Sequence, residues 1–191
     1  MKQQMEGETM ENIIRTGERS WCLRCVKEYE FDQAMKLIEQ GRSFLKSQGI
    51  DQWQQGYPDE ACIRRDIQAE KGYFLTDGTA IAGYLCLDFD GEPSYRGIKG
   101  QWLTEADAPY LVIHRLAFDS AFRGHGLTKA VFGLAEQLCM ERQIFSIRVD
   151  TDGDNKIMQR VFQKIGFVYC GTIWFEGGDR LAYEKKLVYR A

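Results

Sequence analysis

Residues 121–138, "AFRGHGLTKAVFGLAEQL", set Arg, Gly, His and Gly side by side and then run straight into an apolar-periodic segment. Glycine is a poor interior helix former, so Gly124 and Gly126 at a helix entrance point to backbone geometry or to close approach by a ligand. Leu127, Ala130, Val131, Leu134, Ala135 and Leu138 recur at three- and four-residue steps, which predicts one buried helix face. Upstream, "YLVIHRLAF" over residues 110–118 is short, apolar and rich in branched and aromatic residues, as a buried strand is. The unit is therefore strand, glycine turn, helix. First-turn amides have no intrahelical partners and lie at the positive end of the helix dipole, so an anion is their natural guest. The spacing does not fit the phosphate loop of nucleotide hydrolases. The dinucleotide fingerprint also fails, because Lys129 stands where its third glycine belongs. An ordinary tight turn remains the alternative at this point.

The rest of the chain bounds the class. Its 191 residues, 44% hydrophobic and 13% aromatic, suit one α/β domain with a sizeable core. Residues 1–20 are polar and aperiodic, so a loose N-terminal segment is expected there, with Met10 as an alternative start; residues 21–191 form the single expected domain. The net charge is −3, from 25 basic and 28 acidic residues, and no basic run or basic-aromatic ladder occurs, which argues against nucleic acid as a partner. No apolar run approaches the roughly 20 residues of a membrane span and no apolar signal core opens the chain, so a cytoplasmic protein without membrane association is expected. Of the six cysteines only Cys22 and Cys25 are close in sequence, in "WCLRCVKEY". No second pair or histidine cluster completes a metal site, and strand alternation sets the two on opposite faces, so reduced thiols and no metal are expected.

Element by element, residues 21–29 read as a strand and 31–47 as a helix with Ala34, Leu37, Ile38 and Leu45 inward and Gly49 at its end. Asp59 caps a second helix reaching about Lys71. A hairpin turns at Asp77 and Gly78, a long connection covers 94–108, and "IFSIRVD" is a strand after the glycine helix. "NKIMQRVFQKIGF" is a helix closed by Gly166, and strands over 168–175 and 180–188 meet at Gly177 and Gly178.

Two motifs in this order resemble a known family. Arg123 and Gly126, preceded by "LAFDSAF", match its loop of Arg or Gln, two residues, Gly, one residue, then Gly or Ala, except that Thr128 holds the last place. "DNKIMQRVFQKIGF" resembles its Asn-initiated helix ending in Gly-Phe, here Asn155, Gly166 and Phe167. The chain is thereby similar to the GNAT acetyl-CoA-dependent N-acetyltransferases over residues 21–187. The resemblance implies an α/β fold with a mixed central sheet of about six to seven strands flanked by about four helices. It implies acetyl-CoA as cosubstrate, its pyrophosphate wrapped by the backbone of Arg123, Gly124, His125, Gly126, Leu127 and Thr128, with the Thr128 hydroxyl able to donate to phosphate. Leu116 and Phe118 would bond the pantetheine arm through their backbone, and Asn155 would meet it through its side chain; alone, Asn155 reads equally as a helix N-cap. Phe162 would pack on the same arm, at the address where many relatives carry a tyrosine that protonates the departing thiolate.

The reaction implied is direct attack by a primary amine, whose pKa of about 10.4 demands a proton acceptor. His114 matches a strand histidine that serves as base in one branch of the family. Alternation places it on one face with Tyr110, Val112, Leu116 and Phe118, titrating near the ordinary histidine value. The side chain of His125 is expected to face solvent. Trp53, Tyr57, Trp102 and Tyr110 are the candidates for lining the acceptor pocket. The partner expected is a small-molecule or peptide amine, and a homodimer is compatible with this reading. A non-catalytic acyl-CoA-binding or sensing protein of the same fold is the alternative, kept by Phe162 and Thr128.

Overall fold

In chain order the strands are β1 (Ile14–Thr16), β2 (Arg19–Cys25), β3 (Gly72–Thr76), β4 (Ile81–Asp88), β5 (Lys99–Gly100), β6 (Leu111–Phe118), β7 (Ser146–Asp152), β8 (Val168–Phe175) and β9 (Gly178–Lys186). The helices are α1 (Phe31–Ser47), α2 (Glu60–Gln68), α3 (Leu127–Glu141) and α4 (Lys156–Lys164). These come from a computed structural model that describes residues 12–175 and 177–188. The expectations for residues 1–11, Met10 included, lie outside the described residues.

Local chemistry accounts for most boundaries. The α1 face of Ala34, Leu37, Ile38 and Leu45 is buried, and Gly49 past its end adopts φ +70°. The Asp59 carboxylate accepts from the Cys62 amide at 2.8 Å and starts α2. At the β3–β4 turn the Asp77 carboxylate accepts from the amides of Thr79 and Ala80 at 3.0 and 2.7 Å. Gly126, at φ +73°, opens α3 with no side-chain cap, and Asn155 opens α4 by accepting from the Met158 amide at 3.1 Å.

Among the described residues one mixed sheet runs in the order β1-β2-β3-β4-β6-β7-β9-β8-β5, nine strands rather than six or seven. The surplus is two short pieces. β1 lies inside the segment expected to be loose, because Ile14 packs into the main core and pairs opposite Trp21. β5 lies inside the long connection and pairs with β8 through Lys99↔Thr172 and Gly100↔Gly171. The strand expected over 21–29 stops at Cys25, where Arg24 grips Glu30 with both guanidinium nitrogens at 2.8 and 2.9 Å and draws the chain into a 3₁₀ turn, Glu28–Glu30. α2 ends at Gln68, short of Lys71, and no cysteine is in a disulfide.

Every neighbouring pair is antiparallel except β6 and β7, joined by the α3 crossover. One face carries α3 and α4, whose Val131, Phe132 and Phe162 pack with Leu111, Ile113 and Val149 of the sheet. The opposite face is covered by α1 and α2 over Phe74, Tyr84 and Ala117, and further along by Tyr95 and Trp102 over Val112, Ile173 and Ala182.

Strand β6 breaks the expected alternation. Its register with β4 slips by one residue between Tyr84↔Ala117 and Cys86↔His114, so Leu85 stands against both Arg115 and Leu116. Arg115 takes φ +55° at this bulge. Residues 111 and 113 face α3, 112 and 114 face away, and beyond the bulge Leu116 and Phe118 face α3 again while Ala117 faces α1. His114 therefore shares no face with Leu116 or Phe118, because the inserted residue reverses the phase.

Candidate active site

The bulge and the crossover make a cleft. β6 and β7 pair only through Leu111↔Ile147 and Val112↔Arg148. A bulge bends its strand and raises local twist, so past Val112 the two strands part. A cavity of about 340 Å³ runs through the gap, from the glycine turn and α4 on one face to Trp53 and Tyr57 on the other.

At the first end lie Gly124, Gly126 and Thr128. Both glycines hold positive φ, +82° and +73°, and a Cβ on either would point into open space. The first-turn amides of α3 lie beside this open space at the positive end of the helix, where an anion is favoured. Arg123 serves this turn structurally: its Nη2 donates to the carbonyls of Gln40 at 2.8 Å and Phe118 at 3.2 Å, and its guanidinium lies 4.6 Å from the Phe44 ring centre. His125 is exposed, as expected, and does not line the cavity.

The middle is lined by Leu116, Phe118, Leu127, Phe132, Val149 and Phe162. Phe162 is 3% exposed and packs its ring on Phe132, Phe167 and Tyr183 with centroids 6.0, 5.6 and 5.3 Å away, so it is core as much as cleft wall. Beside it the Thr151 hydroxyl is buried and has no hydrogen-bond partner among the described residues. Asn155 uses its oxygen to cap α4 and its amide nitrogen to donate to Gln52 at 3.0 Å, tying the 50–57 loop across the gap.

The other end collects charge and aromatic surface. Trp53 stands at φ +72°, packed over Gly41. Arg115 donates from Nε and Nη2 to the two Asp66 oxygens, each at 2.7 Å, and from Nη1 to the Tyr57 oxygen at 2.7 Å. Phe175 stacks on His114 with centroids 6.1 Å apart and meets Tyr57 edge-on at 5.6 Å. His114 is 8% exposed, with Nε2 at 3.6 Å from Glu92 Oε2. Burial, then the charges of Arg115 and Lys71, push its pKa down to about 3, which overturns the expectation of titration near neutrality. Asp150 accepts from the Tyr95 hydroxyl at 2.7 Å, and burial raises its carboxyl to about 6 against the pull of that bond and of Arg180.

Trp102 and Tyr110 are not cavity walls. The Arg148 guanidinium lies 4.5 Å from the Trp102 ring centre and 4.0 Å from that of Tyr110, while its Nε donates to buried Glu184 at 3.2 Å. Both rings are consumed in covering that ion pair. Tyr110 still acts at one remove, since its hydroxyl oxygen accepts from the Glu92 amide at 3.2 Å. Sequence reasoning missed Gln52, Arg115, Asp150 and Phe175. The adjacent polar pair His114 and Arg115 within an apolar strand was the available sign of a bulge, and Asp150 lies near the C-terminal end of β7, the strand that follows the crossover, where ligands of such sheets bind. Among the described residues no three His, Cys, Asp or Glu side chains are grouped to hold a metal ion.

Comparison with known proteins agrees with this architecture. Residues 38–167 match the model of the "Acetyltransferase (GNAT) family". A GNAT-family acetyltransferase from Streptococcus agalactiae is 32% identical, with a TM-score of 0.79 over 94% of this chain and 100% of that one. A GNAT-family acetyltransferase from Listeria monocytogenes is 22% identical, with a TM-score of 0.75 over 92% and 100%. The ribosomal L7/L12 alpha-N-protein acetyltransferase RimL, solved in complex with coenzyme A, is 17% identical and shares the fold, with a TM-score of 0.62 over 92% and 98%.

Proposed function

The chain belongs to the acetyltransferase (GNAT) family, and from that premise we propose that it is an N-acetyltransferase that moves an acetyl group from acetyl-CoA to a primary amine in a ternary complex. The observation that carries this reading is the continuous cavity between the parted strands, with an anion cradle at one end and a polar, aromatic chamber at the other. Acetyl-CoA, when bound, supplies an acetyl group activated as a thioester.

The chain's own residues divide the work. The amides from Arg123 to Thr128 hold pyrophosphate, and glycine at 124 and 126 lets phosphate touch backbone. The β6 backbone at Leu116 and Phe118 is unpaired on its β7 side and would bond the pantetheine amides there as an added strand does, with the Phe118 carbonyl shared with Arg123. Thr151 adds a hydroxyl to that lining. Trp53, Tyr57 and Phe175 shape the acceptor chamber. His114, neutral at physiological pH, accepts a hydrogen bond from the amine and aligns its lone pair. The amine nitrogen then bonds the acetyl carbon as the carbon–sulfur bond breaks with its electron pair on sulfur, and the second nitrogen proton ends on that sulfur.

A non-catalytic acyl-CoA sensor is the second reading, favoured by the ring of Phe162 where a tyrosine acid is usual. Free thiol followed during incubation with acetyl-CoA and a panel of aliphatic, aromatic and peptide primary amines decides between them. Amine-dependent thiol release supports the transferase; tight acetyl-CoA binding with no release for any amine replaces it with the sensor.

A further inference from the structure

We propose that the acceptor amine also carries a carboxylate, an amino acid in chemical class, and that Arg180 together with Tyr57 receives this second group. The assignment rests on the transferase reading and names its substrate class. Both side chains line the cavity at its polar, aromatic end.

Arg180 is held with one edge unspent. It lies in β9, opposite Asp152 of β7 on one side and Ile173 of β8 on the other. Its Nη1 donates to the Asp152 carboxylate at 2.9 Å and to the Asp179 carbonyl at 3.4 Å. Gly178 leaves that nitrogen its room, since a Cβ there would stand 3.1 Å from it. Among the described residues Nε and Nη2 have no hydrogen-bond partner. These two form the side edge of the guanidinium, whose parallel N–H groups match the two oxygens of a carboxylate. Arg115 shows the match within the same chamber, where this edge grips Asp66 through two bonds of 2.7 Å. A guanidinium only 14% exposed, always charged and with its paired edge unused beside a cavity, is a receiver for an anion.

Tyr57 supplies a third donor. A guanidinium can only donate, so the 2.7 Å bond from Arg115 Nη1 takes a lone pair of the phenol oxygen and leaves the phenol proton over. No described residue accepts that proton, and burial raises the pKa of the phenol, which keeps the proton in place. The charges agree. Arg115 and Arg180 line this end of the cavity while their partners Asp66 and Asp152 do not, so two cations face it against the single carboxylate of Asp150. An acceptor bearing an amine alone would leave these three donors unanswered. A carboxylate answers them, and His114 remains for the amine.

The test offers the common L-amino acids and their carboxamides to the full chain with acetyl-CoA, each pair differing in the charge of the second group. The wild type should favour the acids in kcat/KM by about tenfold or more. Arg180→Gln should cut that preference by about 10–100-fold, chiefly through KM, because the carboxylate lies away from the reacting atoms. Arg180→Lys keeps a charge and a donor for Asp152 but lacks the paired edge, so it should stay folded and lose most of the preference. Tyr57→Phe should cut it by about 2–10-fold. A wild type that takes carboxamides or simple alkylamines as readily as the acids, or a folded Arg180→Lys variant that keeps the preference, overturns the proposal. Should the wild type acetylate no primary amine, the transferase reading falls by itself, and calorimetry of the coenzyme A complex with the same acids and carboxamides decides the site. Acid-selective binding that is lost in Arg180→Gln sustains it; no such binding overturns it.

Discussion

Gly126 sits at φ +73° with open space where a Cβ would project. A side chain there is strained by about 1–2 kcal/mol and enters the volume assigned to phosphate. Gly126→Val should therefore stay folded with a modestly lower Tm and bind acetyl-CoA at least about tenfold more weakly; calorimetry giving wild-type affinity in a folded variant contradicts the cradle. His114 offers a second single-residue test. With its pKa pushed to about 3 by burial, Arg115 and Lys71, it is not the group that titrates near neutrality. His114→Gln should lower kcat/KM yet leave the acid limb of its pH profile in place. A limb that vanishes in this variant returns the proton-accepting role to the imidazole.

Among the elements, β6 decides the geometry, and its bulge depends on one buried ion pair. Arg115, at φ +55°, is held there by Asp66, itself 6% exposed. Asp66→Ala leaves the guanidinium buried and unpaired, which should cost about 3–5 kcal/mol in denaturant unfolding; a loss under 1 kcal/mol would show that the bulge stands without the pair. Helix α4 carries a comparable dependence through Phe162, packed among Phe132, Phe167 and Tyr183. Phe162→Ala should cost about 3–5 kcal/mol of stability, so weaker acetyl-CoA binding in that variant has to be measured well below its own Tm. Phe162→Tyr keeps the ring and should change turnover by less than about tenfold. The helices were legible because amphipathic period and caps are local: α1 spans the expected residues, and Asp59 and Asn155 cap where expected. The bulge was not, because its cost is met by a contact 49 residues away in sequence.

At the scale of the whole molecule, stability should fall on acidification. His114 is unprotonated when folded down to about pH 3, while the unfolded chain binds its proton near 6.5, so between these values the unfolded state holds more protons and stability drops as pH falls. Burial alone would raise the Glu184 carboxyl, but bonds from Ser146 and Thr104 and the charge of Arg148 outweigh it and hold it low, which acts in the same direction at lower pH. Asp150, raised to about 6, acts with the opposite sign: its contribution is full below the unfolded value of 3.8 and is lost as pH rises through 6. Scanning Tm from pH 7 to 4 should therefore show a shallower decline for His114→Gln than for the wild type; parallel curves would mean that His114 titrates normally. The sequence by itself determined the four helices and seven main strands, the glycine turn and the family, since caps, periodicity and glycines at turns act over a few residues, while the short β1 and β5 came only with tertiary pairing. Tertiary structure alone decided which face His114 occupies, that Trp102 and Tyr110 cover Arg148 instead of substrate, and that Asp150 stands across the cleft. Those outcomes follow from a one-residue slip in register and from the pairing of distant charges, and both are set by burial that no local stretch of chain encodes.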